Sequence, residues 1–119
     1  AQFIGTPKMN ILPLNNENIV SDNKINFLGN EIIFEKIKFD KKKYFLGIRP
    51  EHFNLSSSSQ FKIKPKIDLV ENLGNEKIVY MSNDNLELSA KISSQEDFQN
   101  EINFNSKDIF IFDEDGNRI

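Results

Sequence analysis

Arginine, proline, glutamate and the chain's single histidine stand in a row at Arg49-Pro50-Glu51-His52. A guanidinium, a carboxylate and an imidazole so close together are the groups used for ion pairing, anion capture or proton transfer. Nucleophilic catalysis needs a base held against a Ser or Thr hydroxyl. No partner in the neighbouring sequence marks His52 for that work, and a surface or capping histidine needs no special geometry. Lys62, Lys64 and Lys66 recur at every second position, which places them on one face of a strand. Lysines beside exposed aromatics can hold single-stranded nucleic acid. Here the aromatics alternate to the opposite face, so a solvated basic stripe is the better reading.

Two further patterns are weaker. Asp113-Glu114-Asp115-Gly116 resembles the start of a calcium loop, but no glutamate follows at the required spacing. Asp and Gly are ordinary turn residues, and a turn accounts for them. A phosphate-binding loop needs glycines bracketing a lysine beside Ser or Thr. Gly5, Gly29, Gly47, Gly74 and Gly116 are each isolated. By itself the chain should not hydrolyse nucleotides, and no catalytic residue is assigned. With 0 Cys and 1 His, disulfide, thiolate and iron–sulfur chemistry are excluded, and no ordinary zinc site is expected.

The elements that must position these groups are short. Met9 to Leu14 suits a strand with Pro13 at an edge, where a missing donor is tolerated. Asn15 to Asn18 is a polar turn. Ile19-Val20 and Ile25 to Leu28 suit a hairpin around Ser21-Asp22-Asn23, and Gly29-Asn30 marks the next turn. Glu31 to Phe39, rich in β-branched and aromatic residues, predicts another strand. Asp40 to Lys43 is a charged turn. The apolar run Tyr44 to Ile48 should then end at Arg49, which the following proline pushes into an extended conformation. Pro50 suits the opening of a short helical turn, with Glu51 near its positive end.

Ser56 to Ser59 predicts a mobile loop. Phe61, Ile63, Pro65, Ile67 and Leu69 alternate with Lys62, Lys64, Lys66 and Asp68, a half-buried strand with Pro65 at an edge or bulge. Val70 to Glu76 bends the chain, and Ile78 to Met81 is an apolar strand. Leu86, Leu88, Ala90 and Ile92 alternate with polar residues. Ser94 to Gln99 suits one helical turn, and Ile102 and Phe104 return to strand alternation. Ile109 to Phe112 is apolar on both faces, which predicts a strand that is central or covered by a partner.

The chain has 119 residues, enough for one domain with a modest core. Its 11 Phe against 2 Tyr and 0 Trp make phenylalanine the main aromatic of that core. A net charge of -3 argues against bulk attraction to nucleic acid or anionic lipid. No apolar run approaches the roughly 20 residues of a membrane span, and a secretory signal peptide is not expected. The apolar start at Ala1 to Gly5, without methionine, reads as a piece cut from a longer protein. No long amphipathic helix is evident. Many short strands with frequent turns predict an all-β barrel or sandwich.

Several segments carry a resemblance. Phe3-Ile4-Gly5-Thr6-Pro7-Lys8-Met9-Asn10-Ile11-Leu12-Pro13 resembles the segment that leaves the ATPase core in ATP-binding subunits of bacterial sugar importers. Leu46-Gly47-Ile48-Arg49-Pro50-Glu51-His52 is similar to the hallmark of their C-terminal domain. Val70 to Glu76 and Phe112 to Gly116 fall where that family has similar segments, in the same order. The likeness is closest to the maltose and glycerol-phosphate type, and it covers essentially the whole chain. It implies one domain over residues 1–119, a transport-associated OB-fold-like barrel (TOBE), with 1–13 coming away from an ATPase core.

The resemblance also implies a role. Such domains regulate and dimerise: they pair with a second copy in the ATPase dimer and keep the subunits together as the catalytic halves open and close. ATP and magnesium would belong to the missing ATPase domain, as would contact with the membrane subunits. The place implied is peripheral, on the cytoplasmic side of the membrane. Some members also receive regulatory proteins, and nucleic acid is not a partner. Gly47, Arg49, Pro50, Glu51 and His52 would form a structural corner, and Ile109, Phe110, Ile111 and Phe112 an interface. In the alternative reading, the domain senses a small ligand or oxyanion through Arg49, Lys62, Lys64 and Lys66.

Overall fold

The computed structural model describes residues 8–119, so the expectations for Phe3 to Pro7 lie outside the described residues. Eleven strands and three one-turn 3-10 helices follow one another, with no α-helix among the described residues. The domain is therefore all-β, as expected.

The central sheet has the order β1 (Asn10–Leu14), β5 (Tyr44–Ile48), β11 (Ile109–Phe112), antiparallel throughout. Pro13 sits on edge strand β1 with its ring exposed, where no ladder bond is lost to it. On β5, Tyr44, Leu46 and Ile48 turn inward and are buried. Their neighbours Leu12 and Leu14 on β1 and Ile111 on β11 join them, because opposed residues share a face.

A second sheet holds β2 (Ile19–Ser21), β3 (Lys24–Phe27) and β4 (Asn30–Ile33). The turn from β3 to β4 has positive φ at both central residues, 49° at Leu28 and 86° at Gly29. That is the hairpin turn whose twist matches its strands, and glycine takes it without strain. A third sheet orders β7 (Lys66–Asn72), β8 (Glu76–Asn83) and β9 (Leu86–Ser93). The pair β6 (Phe61–Ile63) and β10 (Ile102–Phe104) completes the set.

All four sheets feed one apolar core, giving a small β-domain of OB-like kind. Phe104 lies at its aromatic centre. Its ring is 6.2 Å from Phe27, 6.0 Å from Phe53 and 5.3 Å from Phe61.

Among the described residues the backbone ladder does not run from sheet to sheet; asparagine side chains cross the seams. Buried Asn10 on β1 donates from Nδ2 to the Ile48 and Ser89 carbonyls, and its Oδ1 accepts the Ser89 N–H at 2.7 Å. Asn30 donates to the Lys62 carbonyl, joining β4 to β6. Asn103 exchanges backbone bonds with Asn54 and donates from its side chain to the Ser56 carbonyl.

Several elements differ from expectation. The strand predicted over Glu31 to Phe39 stops at Ile33. Beyond it the Phe34 and Phe39 N–H groups bond to the Asn23 and Asp22 carbonyls, so the chain folds over the β2–β3 turn. Its rings then stack edge-on, Phe34 to Phe39 to Tyr44, which explains aromatic residues without strand pairing.

Phe61 to Leu69 is not one strand. Lys64-Pro65 divides it into β6 and β7, since Pro65 has no donor for a ladder. The register also shifts between Ile67 and Leu69, turning Leu69 outward at 60% exposure. Strand β7 runs through to Asn72, so the bend expected over Val70 to Glu76 is confined to the residues after it. Ser94 to Gln99 forms a turn closed between Ser93 and Glu96, not a helical turn. In the serine loop, Asn54 Oδ1 accepts from the Ser56 N–H and the Ser59 hydroxyl, an anchor that serine composition alone does not announce.

Candidate functional site: a corner and an apolar face

The corner forms as its local chemistry dictates. Arg49 is extended, with φ -75° and ψ 144°, and Pro50 occupies the first position of the 3-10 turn Pro50–His52. The His52 N–H closes that turn on the Arg49 carbonyl at 3.0 Å. Pro50 and Phe53 are buried, and the turn packs against β9. Glu51 is exposed in the first turn.

Arg49 points at β11. Its guanidinium lies 5.5 Å from the Phe110 ring centre, and Arg118 lies over the same ring at 4.5 Å. A cation over an aromatic face gains about 0.5–1 kcal/mol at an exposed site. Arg49→Ala should therefore cost about 0.5–1 kcal/mol of stability. Lys64→Ala, in the exposed break between strands, should cost less than about 0.5 kcal/mol. Thermal melts of the two variants side by side check this, and equal melting temperatures contradict it.

Of the two positions its apolar faces allow, central or covered by a partner, strand β11 does not take the central one in its sheet. It flanks β5, and on its far side Arg118 bridges to Phe112 while the Ile119 N–H bonds to the Ile111 carbonyl. The turn between them is closed by Asp113, whose carboxylate accepts the Asp115 and Asn117 N–H groups at 2.9 Å each. The bond from Asn117 is the main cause holding the Asp113 carboxyl below its ordinary value; burial opposes it, and Asp115 and Lys41 add to the lowering. That carboxylate is thus used by the turn.

Of the four candidate interface residues, only Ile111 is buried in the core. Ile109 is partly buried and faces inward, opposite Ile48. Phe110 and Phe112 turn the other way, opposite Gly47 and Phe45. Ile11, 50% exposed, shares that outer face from β1. Gly47 is the floor of the face. A Cβ there would meet the Met9 sulfur at 2.7 Å and the Phe112 ring at 2.8 Å, so only glycine lets those side chains close over the strand. A shallow cavity of about 220 Å³ opens between Ile11, Phe45, Phe112 and Gly116. Lys43 lies 5.4 Å from the Phe45 ring centre, so cations border the face on several sides. Neither Gly47's steric role nor this shared face could be read locally, since both need the pairing of β1 and β11 with β5.

The four cations of the oxyanion reading fall on different elements. Arg49 follows β5, Lys62 lies on β6, Lys66 opens β7, and Lys64 stands in the break between them. All four are exposed.

No family model matches the chain. Curated relatives do match, among them the following. The maltose/maltodextrin import ATP-binding protein MalK of Vibrio cholerae is 39% identical over 88 residues, covering 69% of this chain and 23% of that protein. The proteins of the same name from Yersinia pestis and Vibrio vulnificus are 34% and 33% identical, over 86 and 87 residues. These matches take in 68% and 69% of this chain, but only 23% and 24% of the relatives. The chain thus spans about a quarter of the length of the curated relatives it matches. The chain belongs to the family of sugar-importer ATP-binding proteins, as its C-terminal transport-associated β-domain.

Proposed function

We propose that this domain joins two ATP-binding subunits of a carbohydrate importer and limits how far they part during the transport cycle. The observation that carries the reading is the apolar outer face of β1–β5–β11, built from Ile11, Phe45, Phe110 and Phe112 over Gly47. A face of this composition loses free energy while wet. A second copy laid against it would bury those rings. A lasting contact of this kind keeps one ATPase half at high effective concentration near the other. It also reduces their relative motion to a hinge.

In the parent protein, ATP and magnesium would be used by the ATPase domain, which would also contact the membrane subunits. The assembly would sit at the cytoplasmic side of the membrane, with a regulatory protein as a further partner in some transporters. No helix among the described residues is long and apolar enough to cross a membrane. The oxyanion alternative draws on cations from separate elements, so the apolar face is favoured.

Sedimentation velocity tests the reading. The wild-type chain should self-associate, and Phe110→Asp or Phe112→Asp should weaken that association at least about tenfold, the equivalent of about 1.4 kcal/mol. Circular dichroism must show the variants folded. An unaltered oligomer in both variants, or a wild-type chain that stays monomeric at high concentration, refutes the placement.

A further inference from the structure

The connection from β4 to β5 carries charge that the joining role does not use. Residues 34–43 hold five lysines, Lys36, Lys38, Lys41, Lys42 and Lys43, against the two acids Glu35 and Asp40, in a chain of net charge -3. Among the described residues none of the five lies in an ion pair. The connection is nonetheless pinned. The Phe34 and Phe39 N–H groups bond to the β2–β3 turn, and the Phe34 ring is held edge-on against Phe39.

An open groove of about 890 Å³ runs beside it, between residues 33–37 on one wall and Gln60, Ser106 and Lys107 on the other. Cavities that take small ligands measure about 300–1,000 Å³. The floor is apolar: Ile33 is 56% exposed, and Phe34 and Ile37 are half-buried. The far wall is cross-linked. The Gln60 N–H donates to Asn105 Oδ1 at 3.0 Å, and Gln60 Oε1 accepts the Ser106 N–H at 2.9 Å and the Ser106 hydroxyl at 3.0 Å. A backbone N–H can only donate, so the amide oxygen of Gln60 is fixed on Ser106 and Nε2 is the end left over. Nε2 has no partner among the described residues. Lys36 and Lys107 stand on opposite walls, both exposed, and neither is in an ion pair among the described residues. Glu35 lines the groove beside Lys36. None of Arg49, Lys62, Lys64 and Lys66 lines it.

We propose that this groove binds a phosphorylated monosaccharide. Each part of such a ligand has a counterpart in the walls. A phosphate dianion suits two ammonium groups reaching it from opposite sides, in charge-assisted hydrogen bonds. The C–H face of a sugar ring suits the apolar floor of Ile33, Phe34 and Ile37. Sugar hydroxyls can accept from Gln60 Nε2 and donate to the Glu35 carboxylate. A neutral sugar would leave both lysines unused. A bare phosphate would leave the floor wet and gain nothing from Glu35, which repels it. Binding changes no covalent bond. The groove shares no residue with the outer face of β1–β5–β11, so the proposal stands or falls apart from the joining role.

The test is an NMR titration of the isotope-labelled chain with four separate probes: glucose-6-phosphate, fructose-6-phosphate, glucose and inorganic phosphate. A sugar phosphate should bind with a dissociation constant below about 1 mM. It should bind at least about tenfold more tightly than glucose or inorganic phosphate. The amides that shift should be those of residues 34–37 and of Gln60, Ser106 and Lys107. Lys36→Glu and Lys107→Glu, both at exposed positions, should each weaken binding at least about tenfold. Lys64→Glu, outside the groove, should change it less than about twofold at physiological salt. The proposal is overturned by no binding of either sugar phosphate, by inorganic phosphate binding as tightly, by shifts centred elsewhere, or by an equal loss in Lys64→Glu.

Discussion

Phe104→Ala should lower the unfolding free energy by about 3–5 kcal/mol, the usual range for removing a buried ring. The side chain is 1% exposed and touches rings from three other segments: Phe27 on β3, Phe53 after the corner, and Phe61 on β6. A hole at that point lies between sheets, where no single strand can shift to fill it. Whole domains are stable by only about 5–15 kcal/mol, so the loss would be a large share of the total. Urea denaturation measures it as a lower midpoint with the slope unchanged. A loss below about 1 kcal/mol would mean that the ring cluster does not join the sheets.

Asn10→Leu should cost about 2–4 kcal/mol, although it adds apolar surface at a buried site. The reason is the set of groups left behind. The Ile48 and Ser89 carbonyls each lose a donor, and the Ser89 N–H loses its acceptor. Leucine offers none of them a bond and must fit a cavity shaped for an amide. Asn10→Asp is the informative companion. It keeps an acceptor for the Ser89 N–H but turns an oxygen toward two carbonyls, so it should destabilise as well. If Asn10→Leu melts with wild type, water or backbone adjustment has satisfied those groups, and the seam between β1 and β9 is not held by this side chain.

These two residues mark what the sequence could and could not disclose. Strand β9 was legible because Leu88, Ala90 and Ile92 alternate without interruption, and period two needs no tertiary information. The corner was legible because proline constrains its own turn and the residue before it. Glu31 to Phe39 misled because β-branched and aromatic residues suit any packed surface, and here rings stack on rings without a ladder. Leu69 misled because a register shift reverses the faces beyond it. Asn10, Asn54 and Asn103 read as ordinary polar residues, since a buried amide differs from an exposed one only by its partners. At the site, Phe110 and Phe112 were identifiable as strand residues with one face too many. That they share an outer face with Ile11 depends on chain segments far apart in sequence.

The asparagine bridges across the seams bear on how the molecule comes apart. A ladder of two short strands is marginal in water by itself. Here the β6–β10 pair is such a unit, tied to β4 through Asn30, while Asn10 ties β1 to β9. Residues of all four sheets also share one apolar core, so the departure of one sheet exposes what the others bury. Melting should therefore be all-or-none, with damage at one seam amide felt beyond its own sheet.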